Sequence, residues 1–130
     1  MSNFLVRKTA ALGVIISCGL GGAQAQPDLP LACFRAEDIT GWKVTPDAWS
    51  LYLRVRNGRL YRLDLADACR GLQIRGVRLR FEVRRSPDLC RASDFDLRVE
   101  GSAGAGSCVV TEVTELSPAE AVALSPSVRP

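Results

Sequence analysis

Apolar and polar residues alternate with a period of two through most of residues 42–116. In residues 77–83 every odd position is apolar and every even position is charged, as expected for a half-buried strand. The alternation predicts six strands, at 42–45, 51–55, 61–65, 77–83, 95–100 and 108–116. The last strand is predicted to contain a β-bulge, because its apolar phase shifts between Val110 and Val113.

Residues 51–65 read LYLRVRNGRLYRLDL and contain Asn57-Gly58, the strongest local signal for a β-hairpin. A two-residue turn would place arginines on the same face as the apolar residues of the other strand. A three-residue loop that ends with Gly58 in the left-handed conformation keeps the odd-numbered residues on one face. We therefore predict a G1-bulge hairpin in which Leu53 lies opposite Tyr61 and Gly58 has a positive φ.

The segments around these strands predict little helix. Residues 36–41 suggest a short helical turn ending at Gly41, and the sequence GSAGAGS at 101–107 suggests a flexible hairpin loop. Ser117, Pro118 and Glu120 form the pattern of a helix start with a capping box. The helix is short, and residues 125–130 are predicted to fray.

These elements indicate an all-β fold: a small antiparallel β-barrel or sandwich of about six strands with a short C-terminal helix. The predicted folded domain covers residues 33–124 and is stapled by disulfides. Residues 26–32 contain two prolines and are predicted to form an extended lead-in.

The first 25 residues have the layout of a secretory signal peptide, with two basic residues, an apolar run and AQA before a cleavage site after Ala25. An alternative is a lipobox ending at Cys18, which would become a lipidated N-terminus. No second apolar run follows, so no transmembrane span is predicted in the mature chain. The predicted location is periplasmic or secreted, or membrane-anchored through Cys18 in the lipoprotein alternative.

Four cysteines remain in the mature chain, and an even number in a small exported protein indicates two disulfides. A zinc site is disfavoured, since the chain has no histidine and no closely spaced cysteine pair. If the strands form a continuing meander, bridged cysteines at one end of the sheet favour Cys33–Cys90 with Cys69–Cys108. A crossover after the third strand would give the alternative pairs 33–108 and 69–90.

Candidate catalytic groups are few. Without histidine there is no Ser-His or Cys-His pair, and nothing around Lys43 and Ser50 supports a Ser-Lys arrangement. No phosphate-binding loop, metal-binding motif or cofactor motif is present, so we expect neither metal nor cofactor. The remaining candidates for acid–base chemistry are paired carboxylates, which the strand pattern places among solvated residues: Glu37 with Asp38, Asp64 with Asp67, and Asp94 with Asp96.

The strongest binding candidates are outward-facing arginines with one aromatic residue. They could contact an envelope protein, a glycan or a nucleic acid. The alternative is an ordinary solvated sheet face. Removal of the signal peptide lowers the net charge from +3 to about +1, which is weak for a polyanion-binding protein. The candidate surface consists of Tyr52, Arg54, Arg62, Arg78 and Arg80.

The order of the segments CFRAEDITGW, YRLDLADACRGL, LCRASDFDLRV and CVVTEVTELSPAEA resembles a family of small exported bacterial proteins classed as a domain of unknown function. The resemblance spans about residues 33–124 and implies an exported, disulfide-stapled β-domain. The sequence ASDFDL departs from the Gly-Asp turn expected before the fifth strand. The expected function is a non-enzymatic, exported domain that binds a partner or supports an envelope assembly. The alternatives are a small envelope enzyme using surface carboxylates and an OB-like binder of oligonucleotides or oligosaccharides.

Overall fold

A computed structural model describes residues 33–101 and 104–130. Within these residues, α1 (Pro118–Ala123) is the only α-helix, and short 3₁₀ helices lie at Ala36–Asp38, Arg70–Gln73 and Ala92–Asp94. The predicted cleavage at Ala25, the alternative lipidation at Cys18 and the lead-in at 26–32 lie outside the described residues. The strands are β1 (Phe34–Arg35), β2 (Ile39–Val44), β3 (Ser50–Val55), β4 (Leu60–Leu65), β5 (Arg78–Val83), β6 (Asp88–Leu89), β7 (Phe95–Gly101), β8 (Gly104–Cys108) and β9 (Val110–Glu115).

The strands form two antiparallel sheets and a short ribbon. One sheet has the order β2-β3-β4-β9, the other has the order β5-β7-β8, and β1 pairs with β6. The fold is therefore a small all-β sandwich, one of the two architectures predicted. The continuing meander was wrong, because β4 pairs with β9 rather than β5 and the chain crosses to the second sheet after β4.

One hydrophobic core lies between the two sheets, and it contains the apolar residues that alternate along the strands. Tyr61, Leu63 and their neighbours on β3 and β4 face Leu97 and the other odd-numbered residues of β7. Tyr61 is 0 % exposed. The core members contributed by β3, β4 and β7 are Leu51, Leu53, Val55, Tyr61, Leu63, Leu65, Phe95, Leu97 and Val99.

The β3–β4 hairpin is the predicted one. Leu53 lies opposite Tyr61, and Gly58 has a φ of 85°. The Gly58 amide donates to the Val55 carbonyl at 2.8 Å, and the Val55 amide donates to the Arg59 carbonyl at 3.0 Å. This three-residue loop preserves the phase of both strands, so the same face of the hairpin is apolar from end to end.

Replacing Gly58 with alanine should lower the free energy of unfolding by about 1 kcal/mol, because a Cβ atom is strained at this positive φ. Urea denaturation monitored by tryptophan fluorescence would measure the change. Gly71→Ala is the matched control, since a Cβ at Gly71 meets Val99 only at an ordinary contact distance of 3.8 Å. Equal stability of the Gly58→Ala and wild-type proteins would contradict the predicted strain.

Three predictions of local secondary structure were wrong. Residues 104–107 are not part of a flexible loop, because Gly104–Cys108 forms β8 and pairs with β7. The strand predicted at 108–116 is divided, since Cys108 ends β8 and Val110 begins β9 in the other sheet. The turn predicted to end at Gly41 stops at Asp38, and β2 then runs through Gly41 with a register shift. The bulge predicted in the last strand is confirmed by a register shift in the pairing of β4 with β9.

The C-terminal segment folds back on the sandwich instead of fraying. The predicted capping box is present, with Ser117 Oγ accepting from the Glu120 amide at 3.3 Å and Glu120 Oε2 accepting from the Ser117 amide at 2.7 Å. The Arg129 guanidinium donates to the Val122 and Leu124 carbonyls at 2.8 and 2.7 Å. These contacts satisfy carbonyls that the end of a helix leaves without helical partners.

This segment lies over the outer face of the four-stranded sheet. Leu60 is on that face, outside the core, yet it is only 6 % exposed. A Cβ built on Gly41 would lie 3.8 Å from Pro130, so the chain end reaches β2. The Leu116 amide donates to the Leu60 carbonyl at 2.9 Å, so the chain enters α1 from beside β4. Hydrogen bonds from Ser117 lower the pKa of Glu120, and the charge of Arg62 lowers it further.

The structure pairs Cys33 with Cys90 and Cys69 with Cys108, with Cα atoms 4.2 and 5.9 Å apart. These are the pairs that the sequence favours, although the meander used to derive them is absent. Cys33–Cys90 ties the β1–β6 ribbon together, and Cys69–Cys108 joins the segment after β4 to the end of β8. Two structural disulfides are typical of proteins that fold outside the reducing cytoplasm.

Candidate functional site

The predicted arginine surface is divided between the two sheets. Tyr52, Arg54 and Arg62 belong to β3 and β4, whereas Arg78 and Arg80 belong to β5 of the other sheet. All five alternate with core residues and face outward, so the two groups lie on opposite outer faces of the sandwich. The crossover after β4 is the reason, and the five residues do not make one binding surface.

Two of the four candidate arginines on these outer faces, Arg62 and Arg80, contact acids of their own sheets. The Arg62 guanidinium lies 2.8 Å from Asp64 Oδ2, and Ser50 Oγ donates to Asp64 Oδ1 at 2.6 Å. The hydrogen bond to Asp64 raises the pKa of Arg62. Arg80 lies 3.2 Å from Glu100 on the neighbouring strand. These pairs fit the alternative of an ordinary outer sheet face, which the C-terminal segment partly covers on the four-stranded sheet.

The candidate carboxylate pairs are also separated by local contacts. Asp94 Oδ2 accepts from the amides of Cys90 and Arg91 at 3.0 and 2.8 Å, which fixes the turn before β7. Asp96 lies on β7 and pairs with Arg84, whose hydrogen bond lowers the pKa of Asp96. Among the described residues, no three histidine, cysteine or acidic side chains come close enough to hold a metal ion.

A groove at one end of the sandwich gathers a different set of charged residues. We call it the arginine groove, and we define it by Arg35, Arg56, Arg59, Asp38 and Asp88. Its volume is about 350 Å³, and it lies between the β3–β4 loop and the β1–β6 ribbon. Cys33, Phe34, Val55 and Asn57 complete the lining.

The core beneath the groove is aromatic and is hydrogen-bonded to the backbone of Cys33, which is bridged to Cys90. Phe34 is buried, and its ring centroid lies 4.7 Å from that of Tyr61. The Tyr61 hydroxyl donates to the Cys33 carbonyl at 3.3 Å. Burial raises the pKa of Tyr61, so this hydroxyl stays protonated and keeps its role as a donor. The ribbon is therefore held against the hairpin by a disulfide, a ring contact and a hydrogen bond.

Each arginine of the groove has an acidic neighbour. Arg35 lies 3.0 Å from Glu37 and 3.5 Å from Asp88, and Arg56 lies 3.7 Å from Asp38. Arg59 is 3.4 Å from Glu115, and it also donates to the Cys33 carbonyl at 3.4 Å. The Arg59 guanidinium stands 5.6 Å from the centroid of the Tyr61 ring.

These ion pairs are solvent-exposed, and such pairs contribute only about 0–1 kcal/mol to stability. Their main effect is to hold planar guanidinium groups at the rim of a concave surface. A guanidinium has five N–H donors, and one acidic neighbour occupies at most two or three of them. The groove can therefore present further donors to a ligand without a strong excess of positive charge.

The groove was not predicted, although its residues lie in segments that the sequence marked. Arg56 and Arg59 flank Asn57-Gly58, and Arg35 follows the bridged Cys33 by two positions. A signal was present, since the G1 bulge places Arg56 in the loop and the favoured disulfide restrains the chain near Arg35. The sequence pattern did not predict that the β1–β6 ribbon packs against the tip of the β3–β4 hairpin, and this contact forms the groove.

Comparisons with known proteins give no further identification. No family model matches the chain. Neither the curated proteins nor the solved structures that were searched contain a match. The resemblance to small exported bacterial proteins therefore stays a prediction. Across residues 33–101 and 104–130, no helix has both the length and the apolar character needed to cross a membrane.

Proposed function

We propose that the protein is a non-enzymatic, exported binding domain that holds a polypeptide partner in the bacterial cell envelope. The observation that carries the proposal is the arginine groove, a concave site with three guanidinium groups held at its rim. Arginine and aromatic residues are enriched where proteins contact each other, because they combine apolar area with several donors. The periplasm is the location we favour, on the strength of the predicted signal peptide and the two disulfides.

The charge balance favours a protein over a polyanion. Nucleic-acid sites usually present a basic stripe whose charges neutralise phosphates. Here Asp38, Asp88 and Glu115 lie within 4 Å of the groove arginines and compensate their charge. A polypeptide offers carbonyl and carboxylate acceptors together with amide donors, which suits a rim of mixed sign.

The local roles of the acids support a binding rather than a catalytic function. Asp94 caps a turn, Asp64 is hydrogen-bonded to Arg62 on its own strand, and Asp96 is hydrogen-bonded to Arg84, directly after β5. General acid–base catalysis needs a carboxylate with a pKa near the working pH. The pKa of Asp96 is instead lowered by its arginine partner.

Replacing Arg56 and Arg59 together with alanine should weaken partner binding by about tenfold or more, since both side chains leave the groove while the core stays intact. The protein would be exported with its own N-terminal segment, purified with both disulfides formed, and used to capture proteins from an envelope extract. We expect at least one protein that the wild type retains to fall by about tenfold or more, equivalent to a loss of about 1.4 kcal/mol.

The matched control is the double variant Arg54→Ala and Arg62→Ala, which removes the same charge from the outer face of the same hairpin. This control should retain the partner. Loss of the partner from the control but not from the groove variant would contradict the proposal and favour the outer face. Equal retention by all three proteins would also exclude the groove as the binding site.

A further inference from the structure

Strand β8 forms an uncharged edge of the second sheet. It pairs with β7 on one side, and no strand of the described residues pairs with it on the other. Its sequence is GAGSC, whereas β5 at the opposite edge carries Arg78, Arg80 and Glu82. Natural sheets usually protect their edges with charges, prolines or short strands, because an open edge accepts another strand. The β8 edge has five residues and neither charge nor proline.

The backbone of β8 is accessible along this edge. In an antiparallel pair, alternate residues turn their N–H and C=O groups away from the partner strand. The side chains of residues 104–107 are no larger than a hydroxymethyl group, and all four residues are exposed. A Cβ added at Gly106 would meet no atom within 4 Å. Another backbone can therefore approach to the usual inter-strand distance of about 4.8 Å without a steric clash.

A groove lies beside the strand on its core-facing side. It has a volume of about 350 Å³, and its lining combines the apolar Ile74, Val77 and Val99 and the Cys69–Cys108 disulfide with Arg70 and Ser107. Ile74 is 44 % exposed, and Val109, directly after β8, is 67 % exposed. Gly106 lies opposite Val99, a core residue, so the missing side chain at position 106 leaves the groove open.

We propose that the β8 edge binds an extended segment of a partner polypeptide, which adds a fourth strand to the sheet and places an apolar, branched side chain in the groove. Residues directly opposite each other in a sheet share a face. The partner residue opposite Gly106 therefore lies on the same face of the sheet as Val99, the side on which the groove opens. Main-chain hydrogen bonds supply affinity, and the groove supplies selectivity for that residue, as in other complexes formed by strand addition.

The observations favour a foreign segment over two other occupants. A second copy that paired through its own β8 would offer only glycine, alanine, serine and the bridged Cys108, and none of these fills the groove. The chain's own residues 26–32 contain Pro27 and Pro30, which cannot donate to a sheet ladder. The inference rests on the proposed binding of a polypeptide but uses a surface separate from the arginine groove.

Fluorescence anisotropy with synthetic peptides would test the site directly. The probe is a labelled peptide of alternating threonine and valine with a lysine at each end, and the control peptides carry N-methylated amides or glycine in place of valine. Wild-type protein with both disulfides formed should bind the probe, and both control peptides should bind about tenfold more weakly. Absence of probe binding up to about 1 mM, or equal binding of the N-methylated peptide, would overturn the proposal.

Two substitutions to valine at neighbouring positions separate the groove from the rest of the strand. Gly106→Val fills the groove from within the chain, and we expect probe binding to fall by about tenfold. Ala105→Val adds its side chain to the opposite face of β8 and should leave probe binding within about twofold of the wild type. An equal loss in both variants, or no loss in Gly106→Val, would contradict the placement of the apolar side chain.

Two further readouts keep this inference distinct from the arginine groove. The double variant Arg56→Ala and Arg59→Ala should bind the probe normally, even if it loses its partner from the envelope extract. Sedimentation of the wild type should show a monomer. A dimer that Gly106→Val abolishes would identify a second copy as the occupant and would overturn the proposal of a foreign segment.

Discussion

Removal of the Cys33–Cys90 disulfide, by replacing both residues with alanine, should lower the free energy of unfolding by about 4 kcal/mol. The bridge joins residues 57 positions apart, and a cross-link over a segment of this length strongly restricts the unfolded chain. It also joins the two-residue strands β1 and β6, which share only two residue pairs. A loss of this size is a large share of the stability of a small domain.

Denaturation at equilibrium without reductant, monitored by the fluorescence of Trp42 and Trp49, would measure this loss. Cys69→Ala with Cys108→Ala is the matched comparison, since its bridge spans 39 positions and the entropic effect depends only logarithmically on that number. Both variants should lose similar amounts of stability. Only the Cys33–Cys90 variant should also lose binding at the arginine groove, because Cys33 lines that groove. A loss below about 1 kcal/mol would show that the ribbon stays ordered without the bridge.

Truncation of Tyr61 to alanine should cost about 3–5 kcal/mol, the range typical of a buried aromatic residue. Tyr61 is fully buried near the start of β4, where its ring contacts Phe34 and its hydroxyl donates to the Cys33 carbonyl. The variant would lose the ring contacts and leave a cavity between the hairpin and the ribbon. Thermal and chemical denaturation of the purified, disulfide-bonded protein would measure the effect.

Tyr61→Phe is the control for the hydroxyl, and it should cost only about 1 kcal/mol. The cost is small because the Cys33 carbonyl also accepts from Arg59. If the phenylalanine variant were as unstable as the alanine variant, the hydrogen bond rather than ring packing would be the main contribution. If the alanine variant lost less than about 1 kcal/mol, Tyr61 would not be a core residue in solution.

The local features of this fold could be read from the sequence because each depends on neighbours along the chain. In residues 51–65, the apolar residues of both strands share one face only if the loop has an odd number of residues. Gly58 adopts the left-handed conformation that this loop needs. Ser117 and Glu120 are close enough in sequence to cap a helix wherever that helix lies. The phase shift in residues 110–113 similarly predicted the bulge that the pairing of β4 with β9 contains.

The candidate site could not be read in the same way, because it depends on which strands share a sheet. Arg54 and Arg80 have the same outward phase, yet β3 and β5 belong to different sheets. The two-residue alternation specifies which side of its own sheet a side chain faces, but it does not specify which strand lies next to it. The groove around Arg56 and Arg59 exists only because the β1–β6 ribbon packs against the hairpin tip.

The sequence by itself determined strands β2 to β5, β7 and β9, the hairpin loop, the capped helix and the restricted choice of chemistry, since these follow from residue type and short-range spacing. The tertiary structure decided the crossover after β4, the arginine groove and the conversion of residues 104–107 into an edge strand. Glycine and alanine have little intrinsic preference for strands, so the pairing with β7 had to supply that order. Both proposed binding surfaces depend on contacts between residues that are distant in sequence.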